Sequence, residues 1–144
     1  MKRDNAFYLD TNIIAYYLFD KNVDDNLDNK VLELLSDSSN FFYVSYVVVK
    51  EIIHLLKQER IKLSNQQKHK TILHLINEAC IIISPVTKEH LIVYETLNYA
   101  DDHNDPNDML IIAQSISDKI PIISSDKKFK LYENQGLQLL FNKR

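Results

Sequence analysis

Glycine is almost absent from this chain, which has one, Gly136. A glycine-rich phosphate loop of the P-loop or dinucleotide-binding kind needs several glycines at fixed spacing, so neither can be written here. Long flexible Gly/Ser linkers are excluded on the same ground. Cysteine also occurs once, at Cys80, which excludes an intramolecular disulfide and a multi-cysteine zinc site. Long apolar runs are missing: stretches such as Tyr46–Val49 and Met109–Ala113 are far too short to cross a bilayer. Residues Met1 to Asn5 lead straight into a strand-like segment without the apolar stretch of a signal peptide, and the chain is read as cytoplasmic. Nor is there an excess of basic charge. Lys and Arg number 17 against 20 Asp and Glu, a formal charge of −3. A sequence-independent nucleic-acid binder is usually basic. An enzyme that touches a few phosphates locally stays compatible, since acids gathered around metal ions lower the net charge.

What is present is a soluble globular composition: 144 residues, 45% apolar and 26% charged. No repeat, low-complexity tract or composition shift divides it, so residues 1–144 are read as one domain. Strand-like and helical patterns alternate, which argues for an α/β fold on a mainly parallel sheet. Strands are expected over Ala6–Leu9, Phe41–Val44, Cys80–Ile83, Ile120–Ile123 and Leu137–Phe141. Helices are expected from Thr11, over Asp28–Asp37, from Tyr46 to about Arg60 with Ser45 as cap, over residues 66–79, after Thr87, and from Pro106 to about Ser117. Asp20–Asn26 reads as a polar turn. Asp105 followed by Pro106 is a strong helix start, because proline suits the first helical position and aspartate the cap.

Asp10 and Asp126 each follow a strand that reads as buried. In open parallel sheets, ligands bind outside the carboxyl ends of the strands, so both acids are expected at one edge. Glu51 lies in the second turn of a helix that starts after a strand, and Asp108 in the first turn of the helix opened by Pro106. Converging carboxylates repel one another in a partly dehydrated cleft; protonation or a divalent cation relieves this. Oxygen ligands select hard ions, here Mg²⁺ or Mn²⁺, which activate water and stabilise charge on a phosphate under attack. Each acid also has a plain structural explanation. Asp10 can cap a helix, Asp108 can favour a helix dipole, Asp126 can be a turn residue and Glu51 a solvated residue at the margin of an apolar face. The functional reading rests on the set.

The set has a family likeness. Tyr8-Leu9-Asp10-Thr11-Asn12-Ile13-Ile14 resembles the opening motif of PIN-domain nucleases. Val44-Ser45-Tyr46 through Lys50-Glu51-Ile52 is similar to their second motif, Asp105-Pro106-Asn107-Asp108-Met109 through Gln114 to the third, and Pro121 through Phe129, with Ser124-Ser125-Asp126, to the fourth. The resemblance spans residue 6 to about residue 141, and the chain's size points to the VapC type of toxin. It implies a three-layer α/β/α sandwich and Mg²⁺- or Mn²⁺-dependent endonucleolytic hydrolysis of RNA. Asp10, Glu51, Asp108 and Asp126 match the catalytic, metal-holding acids; Asn12 and Ser124 match the polar positions beside them. Many relatives carry threonine where Ser124 stands, which leaves Ser124 and Ser125 both open. Asp108 is preferred to Asp105 because it directly precedes the buried run. Lys127, Lys128 and Lys130 follow the fourth acid and are candidates for RNA phosphate contacts, with a solvated turn as the alternative. A small antitoxin and a homodimer are the partners the resemblance implies.

Other chemistries fit less well. Glu51-x-x-His54 matches half of a di-iron motif that has no second copy. His69 and His74 are poorly spaced for one helix face, and His90 and His103 form no cluster with them, so a histidine-based zinc site is not expected. Phosphotransfer through Asp10 as nucleophile is the alternative enzyme class; such enzymes often carry a second aspartate where Asn12 stands. A non-catalytic binding module of the same fold is the third reading.

Overall fold

The computed structural model describes residues 5–19 and 23–143. Residues 1–4 and the first part of the expected turn at 20–22 lie outside the described residues. In chain order the elements are β1 (Ala6–Leu9), α1 (Thr11–Phe19), α2 (Val23–Asn26), α3 (Asn29–Ser36), β2 (Phe41–Ser45), α4 (Tyr46–Lys57), α5 (Ile72–Glu78), β3 (Ile81–Ser84), α6 (Lys88–Thr96), α7 (Pro106–Asp118), β4 (Ile122–Ser124), a 3₁₀ helix (Lys127–Gln135) and β5 (Leu139–Phe141).

The five strands form one sheet in the order β3-β2-β1-β4-β5, and every pairing is parallel. Parallel neighbours cannot be joined by tight hairpins, so helices carry the crossovers and cover the faces. The result is the expected three-layer α/β/α sandwich. From β1 the chain builds outward through β2 to β3, then returns to lay β4 against the other side of β1. The direction of winding therefore reverses between β1 and β4. A crevice opens there at the carboxyl ends of the strands, where neighbouring loops diverge to opposite faces.

The core explains why the short strands hold. Leu9, Val44, Ile122 and Ile123 are buried on the sheet, and Ile13, Ile14, Val48, Ile52, Ile111 and Ile112 close over it from α1, α4 and α7. Each such side chain contributes roughly 1.5–3 kcal/mol of transfer free energy. The density of buried β-branched residues suits central parallel strands, which are covered on both sides.

Several boundaries differ from expectation. Helix α4 ends at Lys57, because Glu59 adopts φ 60° and the chain leaves the helix there. The helix expected over residues 66–79 is confined to α5. Residues 66–70 (Gln-Gln-Lys-His-Lys) offer no apolar side chain to bury, and Thr71 caps the helix by accepting the His74 N–H at 3.1 Å. Cys80 has φ 60° and belongs to the turn before β3. Ile120 still closes α7 through its N–H to Ser115 O at 3.2 Å, so β4 begins only after Pro121. Leu137 bonds back to Tyr132 O at 3.2 Å, which delays β5 to Leu139. Gly136 sits at φ 107° between them, a conformation that favours glycine. The end of the expected polar turn is the short helix α2.

Candidate active site

Asp10 is the first residue after β1, and its N–H donates to Ile123 O of β4 at 3.1 Å. This ties it to the crevice between β1 and β4. Its side chain is buried, with 5% of the residue exposed. Oδ1 accepts the Thr11 N–H at 2.8 Å, and Oδ2 accepts the Ser124 hydroxyl at 2.7 Å. Burial is the largest influence on this carboxyl, and the charges of Asp108 and Glu51 add to it. The two hydrogen bonds oppose them, and the group is pushed up to about 7.

The other acids arrive from three further elements. Ser45 ends β2 and also caps α4, its Oγ accepting the Val47 N–H at 3.1 Å. This fixes where α4 starts and brings Glu51, one turn in, beside α1. Thr11 Oγ1 donates to Glu51 Oε1 at 2.8 Å. Asp105 caps α7 by accepting the Asn107 and Asp108 N–H groups at 2.9 and 3.4 Å, with Pro106 at the first position. Asp108 follows in the first turn. Asp126 lies two residues beyond β4 and caps the 3₁₀ helix, accepting the Lys128 N–H at 2.9 Å. Ser124 joins the two strand-end acids, because its Oγ also accepts the Asp126 N–H at 3.1 Å. Of the two serines, Ser124 is the one bonded to Asp10. Burial is the main cause raising the Glu51 and Asp108 carboxyls above their usual range, reinforced by neighbouring acids. Thr11 opposes the shift at Glu51, and His103 opposes it at Asp108.

All four acids line one cleft of about 560 Å³, together with Thr11, Asn12, Lys50, His54, Leu55, Arg60 and Asn107. Asn12 is exposed within this lining. Asp105 is exposed, serves as the cap, and is not part of the wall. Lys127, Lys128 and Lys130 are also absent from the wall. The first two are exposed beside Asp126, and the Lys130 ammonium sits 4.0 Å over the Phe141 ring. The cations that do line the cleft are Lys50, which donates to Asn107 Oδ1 at 3.2 Å, and Arg60. Sequence reasoning missed both. Lys50 adjoins Glu51 on a helix, where neighbours do not share a face, and Arg60 lies beyond the end of α4.

His103 was missed as well. It is buried against the acids: Nε2 lies 3.1 Å from Asp108 Oδ2. One donor atom from each of His103, Asp108 and Asp126 lies within 4.8 Å of the others. Two partly dehydrated carboxylates and a histidine nitrogen at this spacing suit a divalent cation, which offsets the repulsion among the acids; Asp10 and Glu51 line the same cleft outside that trio. The donors gathered here therefore fit a divalent cation.

A sequence model of the PIN domain matches residues 7–134. The chain belongs to the PIN domain family. Solved structures carry the same fold. The PIN domain chain is similar to VapBC-1 from nontypeable Haemophilus influenzae at a TM-score of 0.69 and 19% identity, covering 96% of this chain and 99% of that one. It is similar to DNA-bound VapBC from Salmonella typhimurium at a TM-score of 0.67 and 15% identity, covering 94% and 97%. For VapBC2 from Rickettsia felis bound to a DNA fragment from their promoter, the TM-score is 0.63 at 18% identity, with 95% and 98% covered. Identities this low carry the fold alone. No curated protein sequence matches the chain significantly. Among the described residues of this PIN domain protein, no helix is long and apolar enough to cross a membrane.

Proposed function

We propose that this PIN domain protein is a divalent-cation-dependent endoribonuclease and the toxin of a type II toxin–antitoxin pair. The observation that carries the reading is the gathering of Asp10, Glu51, Asp108 and Asp126, from four separate elements, around one cleft at the β1/β4 crossover. These four acids are the proposed holders of Mg²⁺ or Mn²⁺. When bound, the cation supplies Lewis-acid stabilisation of the charge that builds on a phosphodiester under attack. The chain's own residues orient the site. Ser124 and the Thr11 N–H fix the Asp10 carboxylate, and Thr11 Oγ1 fixes Glu51. Lys50 and Arg60 are proposed to hold the RNA phosphates within the cleft, Asn12 to bond the substrate or its water at the rim, and Lys127 and Lys128 to meet phosphates farther out.

Both Asp10 oxygens already accept hydrogen bonds, and Asn12 replaces the second acid of aspartyl-phosphate enzymes. This supports a holding role for Asp10 over a nucleophilic one. The acids' shared cleft favours catalysis over a bare binding module. Three of the similar solved structures are of VapBC, which supports a second, small protein, an antitoxin, as the proposed partner; a homodimer and a cytoplasmic place of action are proposed with it. The test is cleavage of a mixed set of fluorescent RNAs by purified protein in Mn²⁺, beside EDTA and the Asp10→Asn variant. Cutting that needs both the ion and Asp10 supports the nuclease. Cutting that survives either control removes it.

A further inference from the structure

Asp108 is held by a chain of hydrogen bonds that runs through His103 to the 3₁₀ helix. His103 is buried, with its side chain 3% exposed. Its Nε2 lies 3.1 Å from Asp108 Oδ2, and its Nδ1 lies 2.6 Å from the hydroxyl of Tyr132, a fully buried residue of the 3₁₀ helix. That hydroxyl also accepts the Ala100 N–H at 3.1 Å. The rings of His103 and Tyr132 meet edge to face at a centroid distance of 5.3 Å, and the Phe129 ring lies tilted 6.4 Å from the histidine.

The donor and acceptor inventory leaves one arrangement for a neutral imidazole. A carboxylate only accepts, so Nε2 carries the ring proton and donates to Asp108. Nδ1 is then an acceptor, and the Tyr132 O–H donates to it. The tyrosine oxygen keeps a lone pair for Ala100. Every polar atom in the chain is used, so the imidazole has one favoured tautomer and one favoured orientation. The Asp108 carboxylate, pinned through Oδ2, keeps Oδ1 as its remaining acceptor for the cleft that Asp108 lines.

We infer that His103 is a positioning residue for Asp108, locked by Tyr132, and that this relay sets the affinity of the acidic cleft for its divalent cation. The inference rests on the cation reading above. Outer partners that orient a metal-holding group typically account for about 10- to 100-fold in metal affinity.

The experiment is Mn²⁺ titration of the full chain by calorimetry, paired with ¹⁵N NMR of the His103 ring. We expect His103→Leu to weaken Mn²⁺ binding by about 10- to 100-fold. His103→Gln, whose amide can still donate to Asp108, restores part of that affinity. Tyr132→Phe leaves the ring in place, weakens binding less, and shifts His103 from the Nε2–H tautomer toward a mixture. A purely structural histidine predicts equal Mn²⁺ affinity for the Leu and Gln variants, and that result overturns the relay. So does an Nδ1–H tautomer in the wild-type protein. Nitrogen coupling from His103 in the electron spin-echo spectrum of bound Mn²⁺ also overturns it, because the imidazole would then be a ligand. Wild-type protein that binds no Mn²⁺ at millimolar concentration defeats the cation reading itself. Should His103→Leu not fold, the Gln and Phe variants and the tautomer carry the test.

Discussion

Helix α7 carries an aspartate paired with a buried histidine at each end, and the two pairs are built for different work. At its start, Asp108 meets His103 at 3.1 Å; at its end, Asp118 meets His90 at 2.8 Å. Both histidine side chains are 3% exposed. The surroundings differ. Asp118 receives the His90 ring on Oδ1 and the Tyr8 hydroxyl on Oδ2, at 2.5 Å. Tyr8 in turn contacts Ser84 Oγ at 3.2 Å, and His90 Nδ1 accepts the Thr87 N–H that begins α6. This pair staples α6, α7 and the sheet together. A carboxylate at a helix C-terminus is opposed by the helix dipole, and two donors compensate for it. Asp108 has the favourable end of the same dipole, yet burial and the acids Asp105 and Asp126 raise its carboxyl above the usual range. A structural carboxylate is surrounded by donors; the candidate site crowds carboxylates and leaves their charge for something else to balance.

The strongest way to break the contrast is at Asp10 and Asp108. Either aspartate changed to asparagine is expected to lower Mn²⁺-dependent cleavage by more than the about 100-fold that loss of an outer partner costs. Asp10→Asn should at the same time raise the melting temperature of the metal-free protein at pH 8. Asp118→Asn is expected to do the reverse: cleavage stays near wild type, while stability falls by about 1–3 kcal/mol through the weakened bonds to His90 and Tyr8. Urea titration alongside the cleavage assay separates the two classes.

The pH dependence of stability sharpens it further. Asp10 is pushed up to about 7 in the folded chain, against an ordinary value of 3.8. Between these values the folded state binds the extra proton. Stability from this group is therefore lost as pH rises from about 4 to about 7, by at most about 4 kcal/mol. We expect metal-free protein to melt lower at pH 8 than at pH 5, and Mn²⁺ to raise the melting temperature more at pH 8. A stability that rises steadily from pH 4 to 7, unaltered in Asp10→Asn, counts against the buried carboxyl as the driver. The smallest effect is expected at the cleft cations. Lys50→Ala and Arg60→Ala should raise KM by less than about tenfold and flatten its salt dependence by about one counterion each.

Much of this is legible in the amino-acid sequence. Caps are local: Ser45, Thr87 and Asp105 each start the helix that the sequence predicts, because capping depends only on a side chain and the next few N–H groups. Asp10 and Asp126 read as strand-end acids for the same local reason. The weak places were segments where local patterns compete. Residues 66–70 and Cys80 lie there, and so does the unexpected 3₁₀ helix over Lys127–Gln135.

The amino-acid sequence by itself determined the alternation of elements, the parallel sheet and the strand-end places of Asp10 and Asp126, since hydrophobic period and cap chemistry are properties of neighbours along the chain. Only the tertiary structure decided which polar groups meet. His103 lies 29 positions from Tyr132, and Ser124 lies 114 from Asp10. Lys50 and Arg60 reach the cleft because α4 packs against α1 and α7, while Lys130 is held over Phe141. A hydrogen bond across such distances in sequence leaves no periodic trace. It exists because the sheet order brings β4 back beside β1 and the segment before α7 meets the 3₁₀ helix at His103.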